Sequence, residues 1–386
     1  MSAPAHASLR VALWWGVTLL IASSLLIATR FRTPDPDSAL YVIVASRLAE
    51  QPVRSWIAPQ WWGGWNHEGP FREHPAGTFI PPALLTRLGV PGEQSSFIVG
   101  LVAQIVSLVT LVALGSRLLP ASWARMQLWT LQLLPIAFVF RIRANHEYLL
   151  LAGIIVAVYA IERARERWAW LLLALAAFAY ALLVKGIFGF LAPALSCVWL
   201  VMVPPRDGAR NIRGWVGVVL MGLVTPLIAL AYEHAYVAAT GLSFFDYYIG
   251  VQLRIQRLDT RRLPFPLNKL WNAVWYLGRI AWYAAPWSLT LLVARVGGAE
   301  GRRNQGAWLR FCIGGVLLTV GLLALCDTRA DRYMFLAFYL AGAGGTVAAI
   351  ARWPRVERLA ERLDRTWPWG PVALWLALFL SRLVIR

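Results

Sequence analysis

The most constraining feature of this chain is a succession of apolar runs, separated by short arginine-bearing loops. Many runs approach the roughly 20 residues needed to cross a ~30 Å hydrocarbon layer. In lipid a backbone cannot leave its N–H and C=O groups unpaired, so each such run must close its hydrogen bonds internally as a helix. Runs at 11–29, 95–119, 126–143, 147–161, 168–183, 187–203, 215–237, 271–294, 307–326, 333–351 and 369–385 predict an all-α, polytopic membrane protein of about eleven transmembrane helices. The apolar run hardly pauses at Lys185-Gly186, so the division there is the least marked. Composition supports the reading: 59% of the 386 residues are hydrophobic and only 15% charged, too few charges for a soluble protein of this length. The first run lacks a small-residue cleavage site and reads as an uncleaved span. Residues 1–386 are taken as a single transmembrane domain with an outer loop at 30–94 and no separate soluble C-terminal domain.

A net charge of +18 invites a nucleic-acid reading, but the arginines are spread over the loops with no basic domain, helix-turn-helix or zinc pattern. Nucleic acid is therefore excluded as a partner. Arg163/Arg165/Arg167, Arg206/Arg210/Arg213, Arg295/Arg302/Arg303 and Arg352/Arg355/Arg358/Arg362/Arg365 all fall on one side of the span count, which the positive-inside rule makes cytoplasmic. The opposite side then carries the 30–94 loop, Arg141 to Glu147, Lys185, the 239–270 loop and Asp327 to Arg332. That outer side is also basic, through Arg254, Arg257, Arg261, Arg262 and Lys269, which suits an anionic ligand. Cys197, Cys312 and Cys326 lie singly in apolar runs and read as small buried hydrophobes.

Within the outer loop, Tyr41, Val44 and Leu48 recur at helical spacing, predicting an amphipathic helix over 38–50 lying on the membrane surface. A second short helix is predicted at 78–88. Asp37, just past the first span and ahead of an apolar run, fits a helix N-cap. It could equally take a proton from an acceptor hydroxyl, with Asp35 as the fallback. Glu73 and His74 offer adjacent oxygen and nitrogen donors; adjacent residues seldom both reach one ion, so a divalent metal would need a third group. The other reading has a protonated His74, or Arg72, contact a phosphate while Glu73 orients it. Glu147 opens the fourth span beside Asn145 and His146, as an anchor or a site residue. Lys185 is flanked by apolar residues for about fifteen positions each way, where a charge costs a few kcal/mol without water or a partner. A phosphate contact is its simplest role. Arg332 with Tyr333 could hold a phosphate or sugar, or form a solvated turn. No P-loop, G-x-S-x-G, H-E-x-x-H or dinucleotide fingerprint competes.

The order of these pieces resembles the GT-C glycosyltransferases, in particular the branch of the lipid A aminoarabinose transferase and the protein O-mannosyltransferases. The pieces are Pro36-Asp37-Ser38-Ala39-Leu40-Tyr41, Glu73-His74-Pro75, Glu147, Val184-Lys185-Gly186, the stretch from Tyr247-Tyr248 to Gln256-Arg257-Leu258, and Arg332-Tyr333. The resemblance implies transfer of a sugar from a polyprenyl-phosphate carrier to a lipid, glycan or protein acceptor on the periplasmic face of a bacterial inner membrane. It implies Asp37 as the carboxylate at the acceptor and Glu73 near a metal or the donor phosphate. Lys185, with the basic outer loop, would hold the carrier's phosphate. A transporter or flippase of a lipid-linked anion, and an inactive assembly partner of the same fold, are the alternatives. A transporter should place its ionisable groups near the bilayer midplane, whereas here they gather at one face.

Overall fold

The computed structural model describes residues 35–61, 69–141, 143–206, 210–252, 265–293, 303–326 and 329–366. The expected first and last spans and Arg257 lie outside them. Among the described residues the chain is helical, with no strand beyond an isolated bridge between Gln60 and Pro70. Five helical runs among the described residues are long and apolar enough to cross a membrane: Gly92–Gly115, Trp170–Met202, Asn211–Thr240, Arg303–Ala324 and Asp331–Arg352.

The outer loop carries α1 (Pro36–Glu50) and α2 (Ile80–Arg87), near the expected positions. The apolar stripe of α1 does not lie on a membrane surface. Tyr41, Val44 and Leu48 are buried against Trp56, Phe71, Phe79 and Ala83, so the loop has a small core of its own. The bundle begins with α3 (Gly92–Gly115). The expected span 126–143 is two pieces, α4 (Ala121–Gln132) and α5 (Pro135–Arg141). Pro135 explains the break, because proline has no N–H to continue the helix of α4 and starts the next one well.

At the centre stands α6 (Glu147–Ala164), buried along nearly its whole length. α7 (Trp170–Lys185) runs back along it, and α8 (Leu191–Met202) returns again. The apolar stretch 170–202 is thus a hairpin. Lys185, at the end of α7, meets Glu147, at the start of α6, while the carbonyl of Val203 after α8 accepts from Arg165 just past the end of α6. Gly186 makes the reversal with φ of +54°, a conformation that side chains with a Cβ rarely adopt.

α9 (Asn211–Thr240) precedes a short α10 (Phe244–Tyr247) and a wide turn over Tyr248–Gln252. The expected span 271–294 is again divided, into α11 (Leu267–Tyr283) and α12 (Trp287–Leu291), with Pro286 at the break. α13 (Arg303–Ala324), α14 (Phe335–Arg352) and α15 (Pro354–Thr366) complete the described chain. α14 is buried from Phe335 to Ile350 and is tied to α6 by a 3.0 Å contact between the hydroxyls of Tyr148 and Tyr339.

The far end of α6 is pinned by a buried polar knot. Arg165 donates to Glu162, Asn211 and the carbonyl of Val203, and the Trp199 indole donates to Glu162 at 2.8 Å. Glu147 and Glu162 are 15 residues apart on one helix, about 23 Å at 1.5 Å per residue. The knot and the Lys185 end are therefore separate clusters at opposite ends of the bundle.

Candidate active site

Asp35, not Asp37, caps α1. Its carboxylate accepts from the N–H of Ser38 at 3.2 Å and from the Ser38 hydroxyl at 2.7 Å, and Pro36 occupies the first helical position. Asp37 is left one residue inside the helix, with its carboxylate turned to other work. Ser38 also accepts the N–H of Ala144 at 2.9 Å, so a fully buried hydroxyl joins the start of α1 to the segment leading into α6. Arg143 adds a longer ion pair to Asp35 at 3.9 Å.

Asp37 meets Arg332, whose guanidinium pairs with its carboxylate across the whole fold. Arg332 stands on the turn Asp331–Met334 that leads into α14. Around this pair is a polar chamber of about 80 Å³, lined by Asp37, Leu40, Tyr41, Glu73, His74, Lys185, Phe188, Tyr248, Arg332 and Tyr333. Asp37, Tyr41, Glu73, His74, Lys185, Arg332 and Tyr333, singled out in the sequence from four separate segments, thus share one cavity. Asp35 acts from behind as the cap.

Glu147 does not line the chamber. It sits behind Lys185, whose Nζ donates to Glu147 Oε1 at 3.2 Å. Both side chains are almost wholly buried, and the ammonium also lies 5.3 Å and 5.0 Å from the ring centres of Phe188 and Tyr333. The carboxylate is in the first turn of α6 and the cation in the last turn of α7, so each complements its own helix dipole. A buried lysine thus has its partner carboxylate directly behind the chamber wall.

The surroundings of His74 disfavour the cation expected there. Burial holds its pKa well below the usual 6.5, and the neighbouring His146, Lys185 and Arg332 push it the same way. Its ring packs edge-on against His146 with centroids 4.8 Å apart, and its Nδ1 is shielded without a hydrogen-bond partner. A neutral imidazole can still donate or accept a hydrogen bond in the chamber. Arg72 is turned away: it lies 4.6 Å from the Tyr247 ring centre and donates to the carbonyl of Ser243 at 3.4 Å. As for the metal expected at Glu73 and His74, no three His, Cys, Asp or Glu side chains among the described residues converge as an ion would require. The edge-on histidine pair sets ring against ring and supplies no ready third ligand.

The Glu73-His74 loop is held by close approach. Thr78 donates to the carbonyl of Val184 at 3.2 Å, and a Cβ at Gly77 would stand 2.6 Å from the carbonyl oxygen of Leu183. From the other side, the hydroxyl of Tyr232 accepts the N–H of Ala76 at 3.0 Å, and that of Tyr236 donates to the carbonyl of Phe71 at 3.2 Å. Sequence reading missed these tyrosines and Phe188. The tyrosines stood on a long apolar helix and Phe188 in the turn after Lys185, with no other mark.

Beside the chamber, on the α7–α9 side, lies an apolar groove of about 210 Å³. Its lining includes Pro75, Ile187, Ile228, Phe244 and Tyr248. A second apolar groove, of about 570 Å³, lies between α2, α3, α6 and α7 and shares no lining residue with the chamber.

The fold has counterparts among solved structures. ArnT from Cupriavidus metallidurans bound to undecaprenyl phosphate matches with a TM-score of 0.68 at 15% identity, over 93% of this chain and 62% of that one. Its apo form matches with a TM-score of 0.67 at 16% identity, over 92% and 62%. The fold is that of the ArnT structures. The Archaeoglobus fulgidus oligosaccharyltransferase in the apo form is more distant, with a TM-score of 0.51 at 12% identity over 97% of this chain and 54% of that one. The chain thus spans about three fifths of the length of the ArnT structures. Residues 73–232 match the family model of dolichyl-phosphate-mannose-protein mannosyltransferases. That segment takes in Glu73, His74, Glu147 and Lys185 and leaves Asp37, Arg332 and Tyr333 of the chamber outside. Curated protein sequences give no match.

Proposed function

We propose that this chain is a membrane glycosyltransferase that moves a sugar from a polyprenyl-phosphate donor to an acceptor hydroxyl at the periplasmic face. One observation carries the reading. Two carboxylates and two cations line a single chamber, and that chamber adjoins an apolar groove across one side chain. A polyprenyl-phosphate sugar is polar at one end and hydrocarbon at the other, and it needs both spaces in contact. The undecaprenyl phosphate bound by the ArnT structure is a ligand of this class.

In this scheme the donor's phosphate lies against Lys185 and Arg332, with the neutral His74 within the same wall. The Asp37 carboxylate accepts the proton of the acceptor hydroxyl as its oxygen attacks the anomeric carbon. The bond from that carbon to the phosphate oxygen breaks, and its electron pair leaves with the polyprenyl phosphate. The two cations stabilise that growing charge in a site of low dielectric. A single displacement inverts the anomeric centre. No step in the scheme passes through a metal.

The Asp37–Arg332 pair adds an order to the events. The Arg332 guanidinium occupies the Asp37 carboxylate, and an incoming phosphate competes for the same guanidinium. The donor therefore frees the base, and the acceptor follows. The alternative of a transporter is disfavoured by the same geometry, because the ionisable groups of the chamber sit at one end of α6 and α7 rather than midway. The test is transfer of label from a radiolabelled polyprenyl-phosphate sugar in membranes containing the chain. Label moved in its presence and not in its absence supports the reading; equal label in both refutes it.

A further inference from the structure

Tyr248 lines both the polar chamber and the apolar groove, and among their described lining residues it alone does so. Its position is fixed from two directions. The hydroxyl accepts the N–H of Ile187 at 3.2 Å. The ring stacks on Phe244 with centroids 5.4 Å apart and planes 18° from parallel. Phe244 in turn packs on Tyr232 and Tyr236, and its N–H donates to Glu233 at 3.1 Å, so the stack is anchored to α9.

The same hydroxyl fills the place a side chain would need at residue 186. A Cβ on Gly186 would stand 2.2 Å from the Tyr248 oxygen, and Gly186 already carries the positive φ that ends α7. Tyr248 therefore clasps the turn whose preceding residue is Lys185. A tyrosine is apolar over its ring and polar at its tip, and such groups settle where one side is dry and the other wet.

We propose that Tyr248 is the donor-positioning residue of the site, standing where the carrier's phosphate gives way to its first isoprene unit. The inference rests on the donor class proposed above. The ring supports the hydrocarbon as it leaves the chamber. The hydroxyl holds the Gly186-Ile187 turn, and through it Lys185 at the phosphate. The acceptor end of the chamber, at Asp37, is not touched by this contact.

The test uses the full chain in lipid nanodiscs, with undecaprenyl phosphate as the binding probe. Tyr248→Phe removes only the hydroxyl and should weaken binding by about two- to tenfold, the range for one hydrogen bond. Tyr248→Ala also opens the wall and should weaken it further. Melting temperature separates these effects from misfolding, and Tyr248→Phe alone decides if Tyr248→Ala does not fold. In transfer assays the Tyr248→Phe donor KM should rise while kcat and the acceptor KM stay near wild type. No binding by the wild type would overturn the donor class and this inference with it. Tight binding by the wild type and equal binding by the Tyr248→Phe variant would overturn the inference alone. So would a loss confined to kcat or to acceptor KM.

Discussion

The guanidinium of Arg332 grips the carboxylate of Asp37 from 295 residues away along the chain. The pair joins the first described helix to the turn before α14, and it sets the proposed base against a proposed phosphate ligand in one contact. If the donor must break this pair, initial-velocity kinetics should be ordered, with the donor bound first. The product polyprenyl phosphate should then compete with the donor and not with the acceptor. Arg332→Lys keeps the charge but loses the planar fork. Losing a charged hydrogen bond costs about 1.5–3 kcal/mol, so donor kcat/KM should drop by roughly 10- to 100-fold. A random-order pattern in the wild type would contradict the coupling.

Lys185 and Glu147 form a buried pair, and removing one partner strands the other. Lys185→Met should destabilise the chain by about 3–5 kcal/mol through the uncompensated Glu147. The double variant Lys185→Met with Glu147→Gln should recover most of that loss without recovering donor binding. Thermal unfolding and undecaprenyl phosphate binding, measured on the same samples, separate the two effects. Recovery of both by the double variant would mean that Lys185 matters only for packing.

Gly77 lies with no room to spare against the backbone of α7. The clash in Gly77→Ala is with a carbonyl, which cannot rotate away as a flexible side chain can. Overpacking of this kind costs typically 1–3 kcal/mol. The expected result is a lower melting temperature together with reduced transfer, because the displaced segment carries Glu73 and His74. An unchanged melting temperature and turnover would show that the loop is not seated on α7 as described.

Acid should loosen the site through its histidines. Burial lowers the His146 pKa from 6.5 to about 4, against the opposing pull of Glu147, with Lys185 and Arg332 lowering it further. His74, packed on its ring, is shifted the same way. A histidine neutral in the fold but protonated when unfolded gives stability that is complete above about pH 6.5 and fades as pH falls towards 4. For His146 alone the full span is worth roughly 3 kcal/mol. Melting temperatures from pH 7.5 to 4.5 should fall, and His146→Gln should flatten that part of the curve. Parallel curves for the two proteins would contradict the assignment.

Much of this was legible in the chain. Lys185 stood out because a charge inside a long apolar run demands a partner, and the structure supplies Glu147. The helices of the outer loop were visible in the spacing of Tyr41, Val44 and Leu48, but periodicity tells which residues share a face and not what covers it. Phe71 and Phe79 cover it here. The exchange of roles between Asp35 and Asp37 turned on Pro36, which belongs at the first helical position and makes the preceding residue the cap. Pro135 and Pro286 marked breaks that hydropathy alone ran across. The Asp37–Arg332 pair and the hold of Tyr248 on Ile187 left no local trace, because each joins segments distant in sequence.

The most direct test of the account compares the wild type and Asp37→Asn side by side, measuring undecaprenyl phosphate binding and transfer from a radiolabelled polyprenyl-phosphate sugar. The account predicts binding within a few-fold in both proteins, and transfer lower by about 10²–10⁴ in the variant, as befits loss of a general base. Full transfer by Asp37→Asn, or no binding of undecaprenyl phosphate by the wild type, would contradict it.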